Sequence, residues 1–290
     1  MKLFVLANPY SGRNRIDKVV RDFAKFLNSR QIDFDVFTTN TELRGTGTVA
    51  NNLNESYAGL VIIGGDGTIN EAINGLHYDI PISIIPAGTG NDFVKMLDLG
   101  QHKQEVFETA INGNIRSIDV GICNGRKFIN GFGVGFDGQI VADMQYRKVP
   151  LLSGQAKYYY HVLHILSSYR PRAYQLMING EKSTEELILL TVAKGSTFGG
   201  GFKLTPHATL DNGELAICKV GNVSPIRRYA ALPKLQNGTH DSIEKVKFET
   251  AKSVHIEENP LLEAHIDGEY FGKPPFDIGV LTKSLRIRSR

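Results

Sequence analysis

Three apolar segments of this chain each run directly into a turn rich in glycine. The segments are LFVLA at 3–7, LVIIG at 60–64 and PISIIP at 81–86, and the turns are 8–12, 64–68 and 87–90. Helical patterns separate these short β-branched segments over roughly the first 120 residues. Such alternation predicts a parallel sheet with helices on both faces, and ligands of such sheets bind beyond the carboxyl ends of the strands.

Composition excludes several other classes of protein. The chain has 290 residues, which corresponds to about two domains at roughly 150 residues each. Its hydrophobic content of 41% and charged content of 22% are close to the globular average, and its 30 glycines are dispersed. The formal net charge of +3 is too small to indicate a nucleic-acid partner. We therefore expect a folded protein that binds no nucleic acid.

Cysteine content and hydropathy favour a cytoplasmic protein. Cys123 and Cys218 lie far apart without a C-x-x-C pattern, so neither a disulfide framework nor a zinc site is indicated. The apolar segment Leu3–Ala7 is too short for the core of a signal peptide, and no segment reaches the roughly 18 apolar residues of a membrane helix. Any membrane contact is therefore expected to be peripheral.

The pattern changes after Asp119, where short strands follow one another with one predicted helix near residues 155–168. Asn124-Gly125 and Asn179-Gly180 predict tight hairpin turns between these strands. The second half is therefore predicted to be mostly antiparallel β.

The chain ends in LRIRSR, which predicts a final strand at a sheet edge. Its alternation places Leu285 and Ile287 on one face and three charged side chains on the other, namely Arg286, Arg288 and Arg290. Charge on such a strand protects an exposed edge from pairing with another chain.

The segment VIIGGDGTINEAINGL carries the strongest indication of a binding site. A buried strand there runs through Gly64–Thr68 into a helix, and Thr68 and Glu71 match the T-x-x-E capping box. Exposed amides and the helix dipole at such a start bind phosphate, and glycines leave no Cβ to obstruct it. Asp66 would repel phosphate unless a cation lies between them, which indicates magnesium.

The segments LANPYSGRN and SIIPAGTGNDF repeat this design after the neighbouring strands, and Arg13 adds positive charge to the first of them. None of the three turns has the P-loop pattern G-x-x-x-x-G-K-[ST]. Three such turns at one sheet edge predict a nucleotide cleft.

Two other patterns predict packing rather than chemistry. Gly133, Gly135 and Gly138 have the G-x-G-x-x-G spacing, but no acidic residue follows at about 20 positions, so a β-turn or bulge is expected. His161 and His164 lie three apart in the predicted helix, and no carboxylate or cysteine accompanies them in sequence. They are expected to pack in the core or in an interface.

Six motifs together resemble the diacylglycerol kinase and sphingosine kinase family of ATP-dependent lipid kinases, particularly its soluble bacterial members. In chain order these are NPYSG at 8–12, GGDGTIN at 64–70, PAGTGNDF at 86–93, GGGF at 199–202, LDNGEL at 210–215 and IDGEY at 266–270. The resemblance implies two domains. The first is a nucleotide-binding α/β domain of residues 1–124, to which 277–290 return, and the second is a β-rich lipid-binding domain of residues 125–276.

The resemblance also implies roles for single residues. ATP would be contacted by Asn8, Pro9, Tyr10, Ser11, Gly12, Arg13, Thr39, Gly64, Gly65, Gly67, Thr68, Ile69, Asn70 and Thr89, with Thr38 an alternative to Thr39. Asp66, with Asp92 and Asp119 behind it, would organise a catalytic magnesium through water. Glu269, which a glycine turn can aim at the substrate, would be the base that activates the lipid hydroxyl.

One position departs from the family pattern. Soluble bacterial members often hold a structural magnesium on a carboxylate in a D-G-x-L turn and on neighbouring carbonyls, a site that corresponds here to Thr209, Asn212 and Glu214. A neutral amide at Asn212 lacks the charge that magnesium favours. We therefore expect no tightly bound magnesium at this turn, unless Asp211 replaces the missing carboxylate.

The expected activity is transfer of the γ-phosphate of ATP, with Mg²⁺, to a hydroxyl of a lipid alcohol such as diacylglycerol. Two alternatives stay open: an NAD kinase-like phosphotransferase, and a non-catalytic nucleotide-gated lipid-binding protein, against which Glu269 argues. The protein is expected in the cytoplasm, peripheral at the inner membrane face, with homodimerisation left open. Basic residues such as Arg147, Lys148, Arg227 and Arg228 would either contact the membrane or be ordinary solvated charges of the surface.

Overall fold

The computed structural model of the protein describes residues 1–11, 16–147, 149 and 154–290. Gly12 and Arg13, two of the expected ATP contacts, and Lys148 lie outside the described residues. The chain divides into two compact units, of which the first comprises Met1–Ile118 with Lys283–Arg290 and the second Asp119–Thr282.

The first unit is a parallel α/β structure. Its elements are β1 (Lys2–Ala7), α1 (Ile16–Ser29), β2 (Asp33–Thr38), α2 (Arg44–Asn52), β3 (Gly59–Gly64), α3 (Asp66–Gly75), β4 (Pro81–Pro86), a short 3-10 helix (Phe93–Met96) and α4 (Lys103–Asn112). The strands pair in parallel in the order β2-β1-β3-β4. The helix expected from about Asn91 is only the short 3-10 helix, and α2 and α4 were not predicted.

Helices cover both faces of this sheet, as the continuous apolar strands predict. Val61, Ile62 and Ile63 of β3 point alternately to opposite faces, and all three are fully buried. Phe23 and Leu27 of α1 belong to the hydrophobic cluster on one of these faces. Because β1 connects outward to β2 whereas β3 connects to β4 on its other side, the strand order reverses between β1 and β3. Ligands of doubly wound sheets bind at such a reversal.

The second unit is mostly antiparallel β, which confirms the predicted class. Its elements are β5 (Asn114–Cys123), β6 (Arg126–Phe128), β7 (Gly131–Gly135), α5 (Phe136–Tyr146), α6 (Gly154–Ser168), β8 (Arg172–Ile178), β9 (Glu181–Leu187), β10 (Leu189–Ala193), β11 (Leu215–Val220), α7 (Pro225–Asn237), a 3-10 turn (His240–Ser242), β12 (Val246–Ala251), β13 (Ser253–Ile256), β14 (Ala264–Ile266), β15 (Glu269–Gly272) and β16 (Phe276–Ser289). One antiparallel sheet has the order β12-β11-β10-β7-β14-β15. The boundaries between the units fall within β5 and within β16.

Both predicted hairpin turns are present. Asn124 and Gly125 join β5 to β6, and Asn179 and Gly180 join β8 to β9. All four residues have positive φ, between 46° and 88°, which is the conformation that two-residue turns between twisted strands require.

The glycines at 133, 135 and 138 do not form the expected β-turn or bulge. They lie where β7 runs into α5, a helix that was not predicted. A Cβ on Gly138 would come within 1.9 Å of the carbonyl oxygen of Glu263, and one on Gly133 within 2.0 Å of Oδ2 of Asp137. Close packing inside the protein, rather than a ligand, therefore requires glycine here.

Of the two histidines of α6, His161 packs in the core as expected, whereas His164 is exposed. His161 is fully buried, and its Nδ1 lies 2.7 Å from Oδ2 of Asp143, a carboxylate that the sequence did not place beside it. The ring of His164 stacks on Tyr160 at 6.0 Å. Among the described residues no group of three or more His, Cys, Asp or Glu could hold a metal ion.

The prediction that the last strand is a charged sheet edge is wrong. Arg286 and Ile287 of β16 pair in parallel with β4, and β16 also pairs with β5 and β13. The strand at the edge of the sheet in the first unit is β2 instead. The arginines bind neighbouring elements of the unit, since Arg288 donates to the carbonyl of Gly113 at 2.9 Å and Arg290 pairs with Glu105 at 3.3 Å.

Arg228 is a structural residue, which corrects its expected role at the membrane. It is 6% exposed, and its guanidinium donates to three backbone carbonyls at 2.7–2.8 Å, those of Val223, Leu166 and Tyr169. The side chain thus ties the start of α7 to the end of α6. Burial lowers the pKa of Arg228.

We expect Arg228→Met to destabilise the protein by on the order of 3 kcal/mol, because it leaves buried carbonyls without a donor. The neighbouring Arg227 is exposed, so Arg227→Met should change stability by no more than about 0.5 kcal/mol. Urea denaturation of the two variants measures the difference. Equal midpoints would show that the three hydrogen bonds contribute nothing.

Candidate active site

The glycine-rich turns of the first unit meet at the carboxyl edge of its sheet. Since β1, β3 and β4 are parallel, the turns that follow them lie at the same edge. Backbone hydrogen bonds join them, from Asn8 N–H to the carbonyl of Ile63 at 3.3 Å and from Ala87 N–H to that of Gly64 at 2.9 Å. The three turns therefore form one continuous surface.

Three of the expected ATP contacts come together where the strand order reverses. Nδ2 of Asn8 donates to Oγ1 of Thr68 at 3.1 Å, and Oγ of Ser11 lies 3.4 Å from the same oxygen. A Cβ on Gly64 would come within 2.6 Å of Thr68 Cβ, so glycine at 64 is what admits this threonine. The resulting polar cluster joins the first turn to the second.

The second and third turns touch backbone to backbone. A Cβ on Gly88 would come within 2.5 Å of the Cα of Gly65. By contrast, a Cβ on Gly67 would meet no atom of another element within 4 Å among the described residues. Gly88 is therefore required by the contact between the turns, whereas Gly67 borders open space at the start of α3.

The predicted capping box is wrong, because α3 begins at Asp66, two residues before Thr68. Glu71 is therefore too far along the helix to reach its start, and it binds the neighbouring helix α2 instead. Its carboxylate accepts hydrogen bonds from Gly45 N–H at 2.7 Å and from Nε of Arg44 at 2.8 Å. The first N–H groups of α3 precede its first internal hydrogen bond and are donors for an anion.

Asp66 joins the second turn to the third. Its two carboxylate oxygens accept hydrogen bonds from the backbone N–H groups of Asp92 at 2.9 Å and Phe93 at 3.0 Å. Burial raises the pKa of Asp66, and these two hydrogen bonds oppose the rise. Asp92 itself is buried and pairs with Lys95 at 2.5 Å.

The donor set at Asp66 fits a nucleotide-bound magnesium. Mg²⁺ in phosphate-transfer sites usually keeps several waters and takes one or two carboxylates together with substrate phosphates. A carboxylate has about four lone-pair positions, of which the backbone hydrogen bonds use two in Asp66.

The other expected ATP contacts differ in accessibility. Tyr10 is 75% exposed, Thr89 is exposed and Pro9 is half-buried, so all three present surface to a ligand. Thr39 is buried, and its N–H donates to the carbonyl of Ala7. Ile69 is a core residue whose N–H makes the first hydrogen bond of α3, to Gly65.

Asn70 likewise lies inside the first unit. It is 3% exposed, and Asn74 donates a hydrogen bond to its side-chain oxygen at 3.3 Å. The side chain of Asn70 is thus buried in the first unit and hydrogen-bonded within α3.

Glu269, the expected base, is the first residue after a tight turn in the second unit. Asp267 and Gly268 form this turn with φ values of 46° and 84°. The carboxylate of Asp267 accepts three backbone N–H groups at 2.8–3.0 Å, from residues 129, 130 and 131. The sequence analysis missed this role, because nothing local signals partners more than 130 positions away.

The Glu269 carboxylate is accessible and paired. Its side chain is 32% exposed, and Oε2 lies 2.5 Å from NH2 of Arg126 in the β5–β6 hairpin. Arg126 also lies over the ring of Phe271, at 6.0 Å. This arginine, which the sequence analysis did not single out, restricts the position of the carboxylate.

The second unit contains an apolar cavity of about 100 Å³. Its walls come from α5, α6, α7 and neighbouring strands, and they include Ile140, Val162, Leu166, Phe202, Ala231 and Leu232. Asp137, Arg228 and His240 contribute the polar or charged side chains to the lining. Binding sites for small molecules are commonly lined by apolar and aromatic side chains with a few polar groups. The cavity was not predicted, because its lining is scattered between residues 136 and 246.

The residues that correspond to the family's structural magnesium site do not fit a divalent metal here. The ammonium of Lys194 lies 3.0 Å from Oδ1 of Asn212 and 2.7 Å from the carbonyl of Glu214, where a metal would have to bind. The same ammonium pairs with Asp119 at 3.0 Å, so that carboxylate is engaged in the second unit. Thr209 is exposed.

Comparison with known proteins agrees with this arrangement of nucleotide turns and β-rich second unit. Residues 2–123 match the family model of the diacylglycerol kinase catalytic domain, and residues 131–289 match that of the YegS C-terminal NAD kinase beta sandwich-like domain. The diacylglycerol kinase of Bacillus subtilis is 30% identical, over 98% of this chain and 94% of its own length. The protein is therefore a lipid kinase, and it belongs to the diacylglycerol kinase family.

Solved structures share the fold. That of a diacylglycerol kinase from Bacillus anthracis has a TM-score of 0.77 at 23% identity, with 100% of this chain and 97% of the other covered. An NAD kinase from Archaeoglobus fulgidus, solved in complex with ATP, has a TM-score of 0.53 at 13% identity, with 100% and 93% covered.

The two loop glycines should respond differently to alanine. Gly67→Ala places a methyl group in open space at a helix start, so stability should be unchanged or slightly higher. It should weaken binding of MgATP by about tenfold, or about 1.4 kcal/mol, because the methyl group would occupy the mouth of the expected phosphate site. Calorimetric titration with MgATP measures the affinity.

Gly88→Ala is the matched control, since its methyl group would collide with the backbone of Gly65 and should lower the melting temperature. Unchanged MgATP affinity in a well-folded Gly67→Ala protein would remove this turn from the nucleotide site.

Proposed function

We propose that this lipid kinase transfers the γ-phosphate of ATP to a hydroxyl group of a lipid alcohol of the diacylglycerol type. The observation that carries the proposal is the apolar cavity of the second unit. Its aliphatic and aromatic walls suit an acyl chain. A polar acceptor such as a dinucleotide would leave those walls without a partner.

The nucleotide would bind at the turns of the first unit. Support comes from the start of α3, where N–H groups and the helix dipole favour phosphate, and from the open space beside Gly67. Asp66 would hold the magnesium that accompanies ATP, and that ion would neutralise charge on the phosphates. Phosphoryl transfer depends on such positioning and charge stabilisation more than on covalent chemistry.

Glu269 would act as the general base. As the lipid hydroxyl oxygen bonds to the γ-phosphorus, the bond from phosphorus to the bridging oxygen breaks and ADP leaves. The hydroxyl proton passes to the Glu269 carboxylate. Arg126 would be a positioning residue, because its guanidinium limits where that carboxylate lies.

Glu269→Gln should lower kcat by about 10²–10⁴-fold, because the amide cannot accept the hydroxyl proton. Affinity for MgATP and the melting temperature should stay close to those of the unaltered protein. Transfer from γ-labelled ATP to diacylglycerol in mixed micelles measures kcat. The matched control is Glu258→Gln, which removes the same charge from an exposed position. Turnover of Glu269→Gln equal to that of the control would exclude Glu269 as the base.

The helices that wall the cavity also offer a surface for membrane contact. Leu163 of α6 and Ile226 and Tyr229 of α7 are 42–85% exposed, and Arg227 beside them is exposed and basic. Apolar and basic side chains together favour the surface of an anionic bilayer. None of the helices in the described part of the chain is long and apolar enough to span a membrane. We place this contact at the cytoplasmic face, where ATP is available.

Filling the cavity should impair use of long-chain lipids selectively. Ala231 lines the cavity, whereas the adjacent Ala230 is exposed on the outer side of α7. Ala231→Leu should raise KM for long-chain diacylglycerol by on the order of tenfold, since a few methylene groups are worth that much in an apolar pocket. KM for ATP should not change.

The matched control is Ala230→Leu, which adds the same side chain outside the cavity and should leave both KM values unchanged. Steady-state kinetics with short-chain and long-chain diacylglycerols compares the two variants. An equal effect of both, or none of Ala231→Leu, would mean that the acyl chain binds elsewhere.

A further inference from the structure

Lys194 is a fully buried lysine at the end of β10, and its ammonium has three oxygen partners. Nζ donates to Oδ2 of Asp119 at 3.0 Å, to Oδ1 of Asn212 at 3.0 Å and to the carbonyl of Glu214 at 2.7 Å. An ammonium group has three hydrogens to donate, so its capacity is used in full. Such complete satisfaction is what a buried charge requires.

The same three oxygens form a cation site by their chemistry. A carboxylate, an amide oxygen and a backbone carbonyl are hard donors of the kind that divalent ions take in proteins. Further hydrogen bonds hold them in place, from Gly213 N–H to Oδ2 of Asp119 at 2.7 Å and from Glu214 N–H to Oδ1 of Asn212 at 3.2 Å. The turn at 210–214 is thus wrapped around a single positive group.

The charges of the three oxygen donors favour a cation with a single positive charge between them. Asp119 is 1% exposed and supplies one negative charge, which the ammonium neutralises. The amide of Asn212 adds an oxygen without adding charge. A divalent ion bound to the same oxygens would lie against the ammonium, and two cations in contact repel strongly where water is excluded.

We propose that Lys194 is a built-in cation, which takes the place of a structural metal ion and lets the turn at 210–214 fold without one. The presence of lysine at 194 is consistent with asparagine at 212, because the single positive charge of the ammonium is neutralised by one carboxylate and the neutral amide adds no further charge. The inference concerns the stability of the second unit and does not depend on the substrate of the enzyme.

Two opposing effects act on the pKa of Lys194. Burial lowers the pKa of Lys194, whereas the hydrogen bond and charge of Asp119 oppose the fall, helped by Asp211 and Glu214. The acidic groups around the ammonium therefore favour its charged form.

The test is whether a metal ion can replace the lysine. Thermal unfolding is measured without nucleotide, in EDTA and in millimolar MgCl₂ or CaCl₂, and bound ion is measured by equilibrium dialysis with labelled calcium. The unaltered protein should have the same melting temperature in both conditions. Lys194→Ala should melt about 10 °C lower in EDTA, because it leaves a buried carboxylate unpaired. Millimolar divalent ion should restore much of this loss and bind at about one ion per chain.

The control is the double variant Lys194→Ala with Asp119→Asn, which has the same space without the carboxylate and should not be rescued. Asn212→Asp alone should bind no ion, since the ammonium is still present. Asn212→Asp combined with Lys194→Ala should bind divalent ions more tightly than Lys194→Ala does.

Two results would overturn the proposal. One is a magnesium-dependent rise in the melting temperature of the unaltered protein that Asn212→Ala abolishes, because the metal would then bind beside the lysine. The other is a Lys194→Ala protein that is as stable in EDTA as the unaltered protein. If Lys194→Ala does not fold in any condition, Lys194→Gln decides, since it keeps an N–H donor but no charge. A loss of stability in that variant supports the proposal, and unchanged stability contradicts it.

Discussion

The backbone contact between Gly65 and Gly88 is the constraint on which the proposed nucleotide site depends. It brings two turns of the first unit so close that a methyl group on Gly88 would fall within 2.5 Å of Gly65 Cα. Asp66, the next residue, then reaches the N–H groups of Asp92 and Phe93 and locks the two turns together. With the turns held by backbone and by one carboxylate, the start of α3 is left open as a surface of N–H donors. In the function that we propose, these N–H groups and the dipole of α3 would bind phosphate.

The second unit uses charged side chains to hold its turns, and of these Lys194, Asp119 and Arg228 are buried. Lys194 and Asp119 hold the turn at 210–214, Asp267 holds the turn before Glu269, and Arg228 holds the junction of α6 and α7. Each charge is satisfied by backbone groups or by an opposite charge. Neither of the two turns, nor the helix junction, therefore needs an external ion. Removing the partner of a buried charge of this kind is strongly destabilising. The chain is therefore held in the one arrangement that keeps the charge and its partner together. The apolar cavity lies among elements positioned in this way, and the helices α6 and α7 that Arg228 joins form part of its wall.

Local sequence patterns predicted much of this fold, whereas contacts between residues distant in sequence could not be predicted from them. The strand segments before each glycine turn and the two Asn-Gly hairpins were identified because their signals lie within a few residues. The capping box at Thr68 failed because two residues of the glycine turn are already helical. Arg126 and Glu269 are 143 positions apart, so their ion pair has no signature in sequence. The neutral residue at Asn212 predicted a turn without a tightly bound metal, whereas the position of Lys194 beside that residue is visible only in the fold.

The account rests on a lipid hydroxyl as the acceptor, and a direct competition between acceptors tests it. The fold is shared with an NAD kinase, so the sheet and the GGDGT turn alone do not distinguish a lipid from a dinucleotide. γ-Labelled ATP is incubated with the protein, magnesium, diacylglycerol vesicles and NAD in one mixture, and the labelled products are separated. The apolar cavity predicts label in the phosphorylated lipid, with NAD unchanged. Label in the phosphorylated dinucleotide, with the lipid unchanged, would contradict the account.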